Sequence, residues 1–142
     1  MSNAIIIYDT RSGNTKLLAE KIMKRLEDLE VSVEIYRDKE FKSIDSIKDF
    51  EIIGLGSPTH AGQMARTFKK FLKKVNQLNL QGKKLIVFGT GADSNSPPNI
   101  CNDIKEMVSP TGLQVIAEIG CVTKPTDDIN KEIENSIQKD MF

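Results

Sequence analysis

Residues 4–15, AIIIYDTRSGNT, decide how this chain folds. Ala4 to Tyr8 form a short, unbroken and mostly β-branched apolar run, the signature of a strand buried on both faces. Immediately after Asp9 come Thr10, Arg11, Ser12, Gly13, Asn14 and Thr15, a polar loop with one glycine. Leu17, Leu18, Ile22, Leu26 and Leu29 then recur at three- and four-residue spacing, the apolar stripe of a helix. A strand, a polar loop and a helix start in that order make an anion site. Backbone N–H groups at the helix start point at the anion, the helix dipole favours negative charge, and the Thr10, Ser12 and Thr15 hydroxyls add donors. Gly13 lets the backbone approach closely. The plainer reading is that Ser12 or Asn14 caps the helix. One cap needs one polar residue, whereas five of these six positions are polar, so a bound phosphate is expected.

The rest of the chain repeats the pattern. Phe50 to Leu55 and Lys84 to Phe88 are further nearly continuous apolar runs, and Val31 to Ile35 and Leu113 to Ile119 alternate apolar with polar residues. The former suit interior strands and the latter edge strands. Met64, Phe68, Phe71, Leu72 and Val75 mark a second amphipathic helix. A short helix is expected over Ser43 to Lys48, another over Pro98 to Val108, and a last one through Ile129, Ile133 and Ile137. Five strand–helix repeats imply a three-layer α/β sandwich around a parallel sheet with right-handed crossovers. Edge character for strands two and five selects the order 2-1-3-4-5, whose switch point lies between strands one and three. The site is therefore expected in the loops after Asp9 and Gly56, with the turn-rich Gly89 to Asn99 as a third loop.

The chain has 142 residues, enough for one domain spanning 1–142 with a core that needs no staples. Twenty Lys plus Arg balance twenty Asp plus Glu, which leaves no basic excess for nucleic acid. Apolar runs stop at four or five residues, far short of the roughly 20 of a membrane helix, and Met1 to Ala4 leads straight into the first strand. A cytoplasmic location with no membrane partner is expected. Cys101, Cys121 and one histidine make neither a disulfide scaffold nor a zinc set, and both thiols read as small buried hydrophobes.

Gly54-Leu55-Gly56 and Gly89-Thr90-Gly91 lack the third glycine of a dinucleotide fingerprint, and no Gly-Lys-Ser/Thr occurs. Thr10-x-Ser12-Gly13-Asn14-Thr15 after a buried first strand resembles the phosphate loop of flavodoxins. Gly56-Ser57-Pro58-Thr59-His60 resembles their second flavin loop. The likeness spans the chain, with the uninterrupted fifth strand of short-chain members.

That resemblance implies FMN as cofactor, its phosphate on Thr10, Arg11, Ser12, Gly13, Asn14 and Thr15. The ring would lie along Ser57, Pro58, Thr59, His60, Ala61 and Gly62, with its pyrimidine end against Gly89, Thr90, Gly91, Ala92 and Asp93. It further implies that the Ala61–Gly62 peptide turns over on reduction to accept a hydrogen bond from flavin N5, with Gly62 easing the move. The chain departs from the family in having no Trp, and no Tyr or Phe in the second or third loop. Each missing aromatic contact is worth about 0.5–1.5 kcal/mol, so FMN binding weaker by roughly ten- to a hundredfold is expected. His60 takes the ring-flanking position, with an ordinary pKa of about 6.5 that would tune the flavin between pH 5 and 8. Neutral overall charge is the second departure, since family members are acidic and dock on basic faces. The role implied is a low-potential single-electron carrier between a reductase and an acceptor protein, with no catalytic acid, base or nucleophile. The alternatives are an FMN-dependent NAD(P)H or quinone oxidoreductase, and an interaction domain without flavin.

Overall fold

A computed structural model describes residues 2–142. Five parallel strands form the sheet: β1 (Asn3–Tyr8), β2 (Ser32–Arg37), β3 (Ile52–His60), β5 (Lys84–Gly91) and β6 (Gln114–Val122). Their order is β2-β1-β3-β5-β6, which is the expected 2-1-3-4-5 topology. One strand was not anticipated: β4 (Gln63–Met64) folds back antiparallel on the end of β3, pairing Thr59 with Met64 and His60 with Gln63.

The period-two pleat explains the continuous apolar runs. In β1, Ile5 and Ile7 join a core beneath α2 (Arg66–Val75), α3 (Ser96–Val108) and a 3₁₀ turn at Ile44–Asp49. Ala4, Ile6 and Tyr8 join the opposite core beneath α1 (Asn14–Asp28) and α4 (Asp128–Ser136). Ile5, Ile6 and Ile7 are all fully buried, and truncating any one to Ala would cost about 2–5 kcal/mol. β2 and β6 are the sheet edges, and their burial alternates as their sequences do.

Several boundaries differ from expectation. The short helix expected over Ser43 to Lys48 is a 3₁₀ helix at Ile44–Asp49, with only Ile47 buried. β3 runs on through the supposed second loop to His60, and β5 through Gly91. The third loop is thus only Ala92 to Asn95, because α3 begins at Ser96 with Pro97 in its first turn, where a missing N–H costs nothing.

Candidate functional site

The carboxyl ends of β1, β3 and β5 bring together the three segments expected from the sequence. The first is the loop from Thr10 to the start of α1. Gly13 is its N-terminal boundary residue, with φ 95°, and no side chain caps the helix. Neither Ser12 nor Asn14 is the cap, so the plainer sequence reading falls. The first-turn N–H groups have no intrahelical acceptor, and no acidic residue sits in that turn. A Cβ built on Gly13 would touch nothing within 4 Å, so its backbone conformation, and not crowding, is what requires glycine. An anion fits there.

Side chains hold this loop from behind. The Thr10 Oγ1 accepts the Gly13 N–H at 3.0 Å, and Asp9 Oδ1 accepts the Thr10 N–H at 2.8 Å. The Arg37 guanidinium donates to Asp9 Oδ1 at 3.3 Å and to the Thr10 carbonyl at 2.6 Å. Thr67 at the start of α2 donates to Asp9 Oδ2 at 3.1 Å. Buried Asp9 therefore ties the ends of β1 and β2 to α2. Charge-assisted bonds of this kind are about twice as strong as neutral ones. Arg37 and Thr67 escaped the sequence reading; the only signal was an Asp closing β1 and an Arg closing the edge strand beside it.

The second segment is the end of β3 and its hairpin. Ser57 is fully buried, donating to the Pro58 carbonyl and accepting the Ala65 N–H; it braces the hairpin from inside. The two-residue connection Ala61–Gly62 has φ 50° and 77°, the doubly positive pattern of a type I′ turn. Ala61, Gly62 and Gln63 are exposed at the tip, with His60 half-buried at its base. Burial and the cationic Arg11 hold the His60 pKa below its ordinary value, against a smaller pull from Asp9. Its titration is thus displaced below 6.5 rather than centred there.

The third segment hinges on Thr90. Its hydroxyl lies 2.8 Å from that of Thr15, and its carbonyl accepts the Thr59 hydroxyl at 2.8 Å, so this residue links all three segments. The Gly91 carbonyl accepts the Thr123 N–H. Gly89 sits within the sheet against Ser57. Asp93 accepts from the Asn95 and Ser96 N–H groups and the Ser96 hydroxyl, which holds its carboxyl below the usual range. These bonds order the loop and leave Ala92 and Asp93 exposed.

Other candidates fall away. Burial raises the Cys101 thiol to about 12 and pushes Cys121 upward too, which fits inert core thiols. Among the described residues no cluster of His, Cys, Asp or Glu has the makings of a metal site, and no helix is long and apolar enough to cross a membrane.

With this geometry in place, comparison with known proteins is decisive. The flavodoxin-domain family matches residues 5–138. The chain belongs to the flavodoxin family. It is 27% identical to a flavodoxin of Maridesulfovibrio salexigens over 122 residues, covering 83% of this chain and 84% of that one. A solved flavodoxin from the domain Archaea superposes with TM-score 0.83 at 30% identity, covering 94% of this chain and 92% of its own. A flavodoxin from Streptococcus pneumoniae superposes with TM-score 0.84 over 94% of both chains, at 20% identity. Membership of this flavodoxin family, with its flavin cofactor, agrees with an anion cradle at the switch point of a doubly wound sheet.

Proposed function

We propose that this flavodoxin is a single-domain, cytoplasmic FMN protein that carries single electrons between a reductase and an acceptor. The start of α1 at Gly13, uncapped by any side chain and with nothing crowding the Gly13 Cβ position, is the observation that supports it most. That opening suits a phosphate monoester, with Ser12 exposed and Asn14 half-buried beside it, while the buried Thr15 hydroxyl is paired with Thr90.

FMN, when bound, would supply the redox chemistry; the protein's work is to hold and tune it. Thr10 to Thr15 would take the phosphate, with Arg11 as an exposed counter-charge. His60, Ala61 and Gly62 would flank the ring on one side, and Ala92 and Asp93 on the other. The rigid sheet beneath, clamped by Thr90 and Ser57, would keep these groups in place in both redox states. The aromatic pairs of the described chain, Tyr36–Phe41, Phe41–Phe71 and Phe68–Phe71, lie in the α2-side core and not in these loops. Ring binding would then rest on backbone contacts and His60, with the reduced affinity that follows.

The test is an FMN titration followed by stepwise anaerobic reduction of the saturated protein. Quenched flavin fluorescence, a shifted visible spectrum and a long-wavelength band at half reduction are expected. A spectrum identical to free FMN overturns the cofactor. Direct passage to the two-electron-reduced state, with NADPH oxidised when a quinone is supplied, overturns the carrier role in favour of an oxidoreductase.

A further inference from the structure

We infer that the face formed by α2 and the loop after β2 is a docking surface for an acidic protein partner. The net charge of zero conceals a segregated distribution. α2 reads RTFKKFLKKV, with five cations and no acidic residue. Its stripe of Phe68, Phe71, Leu72 and Val75 is buried, so the cations necessarily stand on the outer side. Lys69 faces a cleft that also holds Asp103 and Glu106 of α3, which balance it. The others have no such balance. Lys70 and Lys74 meet Lys39 and Lys42 around a groove of about 380 Å³ floored by Phe41 and Phe71. Arg66 and Lys73 extend the same charge along the helix, about 15 Å in length.

The acids at hand are few. Asp38 lines the groove, where its burial and the neighbouring Asp9 raise its pKa, and Glu40, Asp45 and Asp49 are the exposed carboxylates from there to the end of the 3₁₀ turn. Among the described residues, the ion pairs involve Lys24, Arg37, Lys105 and Lys139, so none of these six cations is spent within the chain. The compensating acids gather elsewhere: Asp127, Asp128, Glu132 and Glu134 lie on and just before α4, in the layer across the sheet.

Three features favour an acidic protein over other anions. The charge runs the length of a helix, longer than a small ligand covers. It is carried mainly by lysines, solvated point charges on flexible stems rather than guanidinium forks, which suit fast, steered and short-lived encounters. α2 also begins one residue after the Gln63–Met64 strand, so a partner seated on Arg66 and Lys70 lies beside the hairpin that would edge the flavin. This polarity is the reverse of an acidic carrier seeking a basic reductase. The purpose of the surface rests on the electron-carrier reading; the docking itself does not.

The test titrates ¹⁵N-labelled protein, with and without FMN, with an acidic two-iron ferredoxin, and in parallel with basic cytochrome c and a short DNA duplex. Ferredoxin is expected to shift amides in residues 39–42 and 66–74. Its affinity should fall about tenfold or more between about 10 mM and about 150 mM salt, as the Debye length shrinks from about 30 Å to about 8 Å. A Lys70→Glu/Lys74→Glu double variant should abolish these shifts while keeping its melting temperature and FMN titration. Lys124→Glu/Lys131→Glu, near α4, should leave them intact. No ferredoxin binding, shifts confined to α4, indifference to the Lys70/Lys74 changes, or tighter binding of duplex by the same residues would each overturn the inference. Ferredoxin shifts in protein that fails to take FMN would leave the docking surface standing and overturn only the carrier reading.

Discussion

The Thr15 and Thr90 hydroxyls meet 2.8 Å apart in the interior, joining the first turn of α1 to the end of β5 across 75 residues of sequence. Such a pair uses one of its two hydroxyl protons. Thr15→Val keeps the shape and strands the Thr90 hydroxyl in a buried site, so it should cost about 1–3 kcal/mol in urea unfolding. Thr15→Val/Thr90→Val removes both polar groups and should recover most of that loss. Additive losses in the double variant would show that the two hydroxyls are not coupled.

At the hairpin tip, Ala61 has φ 50° and Gly62 φ 77°. The sequence reading credited Gly62 alone with easing a peptide reorientation, but Ala61 already stands in the left-handed region, at a cost of about 1–2 kcal/mol for an L-residue. Turning over the peptide of a type I′ turn leads towards type II′, which still needs a positive φ at its first central position. Any turnover of this peptide would therefore meet its cost at Ala61. Ala61→Gly should raise stability by up to about 1 kcal/mol after the entropy of the added glycine, a shift of a few degrees in Tm. Gly62→Ala meets no neighbouring atom within 4 Å and should lose about 1 kcal/mol through backbone strain alone. Equal effects at both positions would contradict the turn geometry.

Much of this architecture was legible because two-sided burial leaves an unmistakable mark: Ala4 to Tyr8 can lie only inside, and Val31 to Ile35 only at an edge. Gly56 and Pro58 hid the continuation of β3, since both residue types are depleted in strands. Gly56 is tolerated because the Phe88 ring of the adjacent strand occupies the place of its missing Cβ. The β4 hairpin was invisible for a related reason: two residues are too few for any periodicity. Around the candidate site, the polar loop of Thr10 to Thr15 ahead of α1 was readable from local sequence, whereas Arg37 and Thr67 reach Asp9 from 28 and 58 residues away. Only the register of β1 with β2 places Arg37 against the end of β1.

The charge on Asp38 should lower stability at neutral pH. It is buried, and desolvation together with the Asp9 carboxylate raises its pKa, outweighing its bond from the Lys39 N–H. A carboxyl with a raised pKa in the folded state binds more protons there than in the unfolded chain, so stability declines as pH rises through the interval between the two values. Asp38→Asn retains an acceptor for Lys39 and removes the charge. It should raise the Tm at pH 7, and the gain should vanish below about pH 3.8, the ordinary Asp value, where the wild-type carboxyl is protonated in both states. A gain that persists unchanged in acid would show that charge is not its cause.

His60 is the chain's one histidine, so its ring protons report a single titration by NMR. Burial is the larger cause of its lowered pKa and the Arg11 charge the second. The midpoint should therefore lie below about 6.5, the ordinary value. Arg11→Gln should move it part of the way back, because the desolvation remains. The sign for stability follows from proton counting. In the interval between the folded and unfolded values the unfolded chain holds more protons, so stability rises with pH across that interval and falls on acidification below about 6.5. His60→Gln should flatten this slope without affecting the plateau above it. Should Arg11→Gln leave the midpoint unmoved, Arg11 and His60 do not share one electrostatic environment, and the Thr10–Thr15 loop and the hairpin after β3 are electrostatically independent.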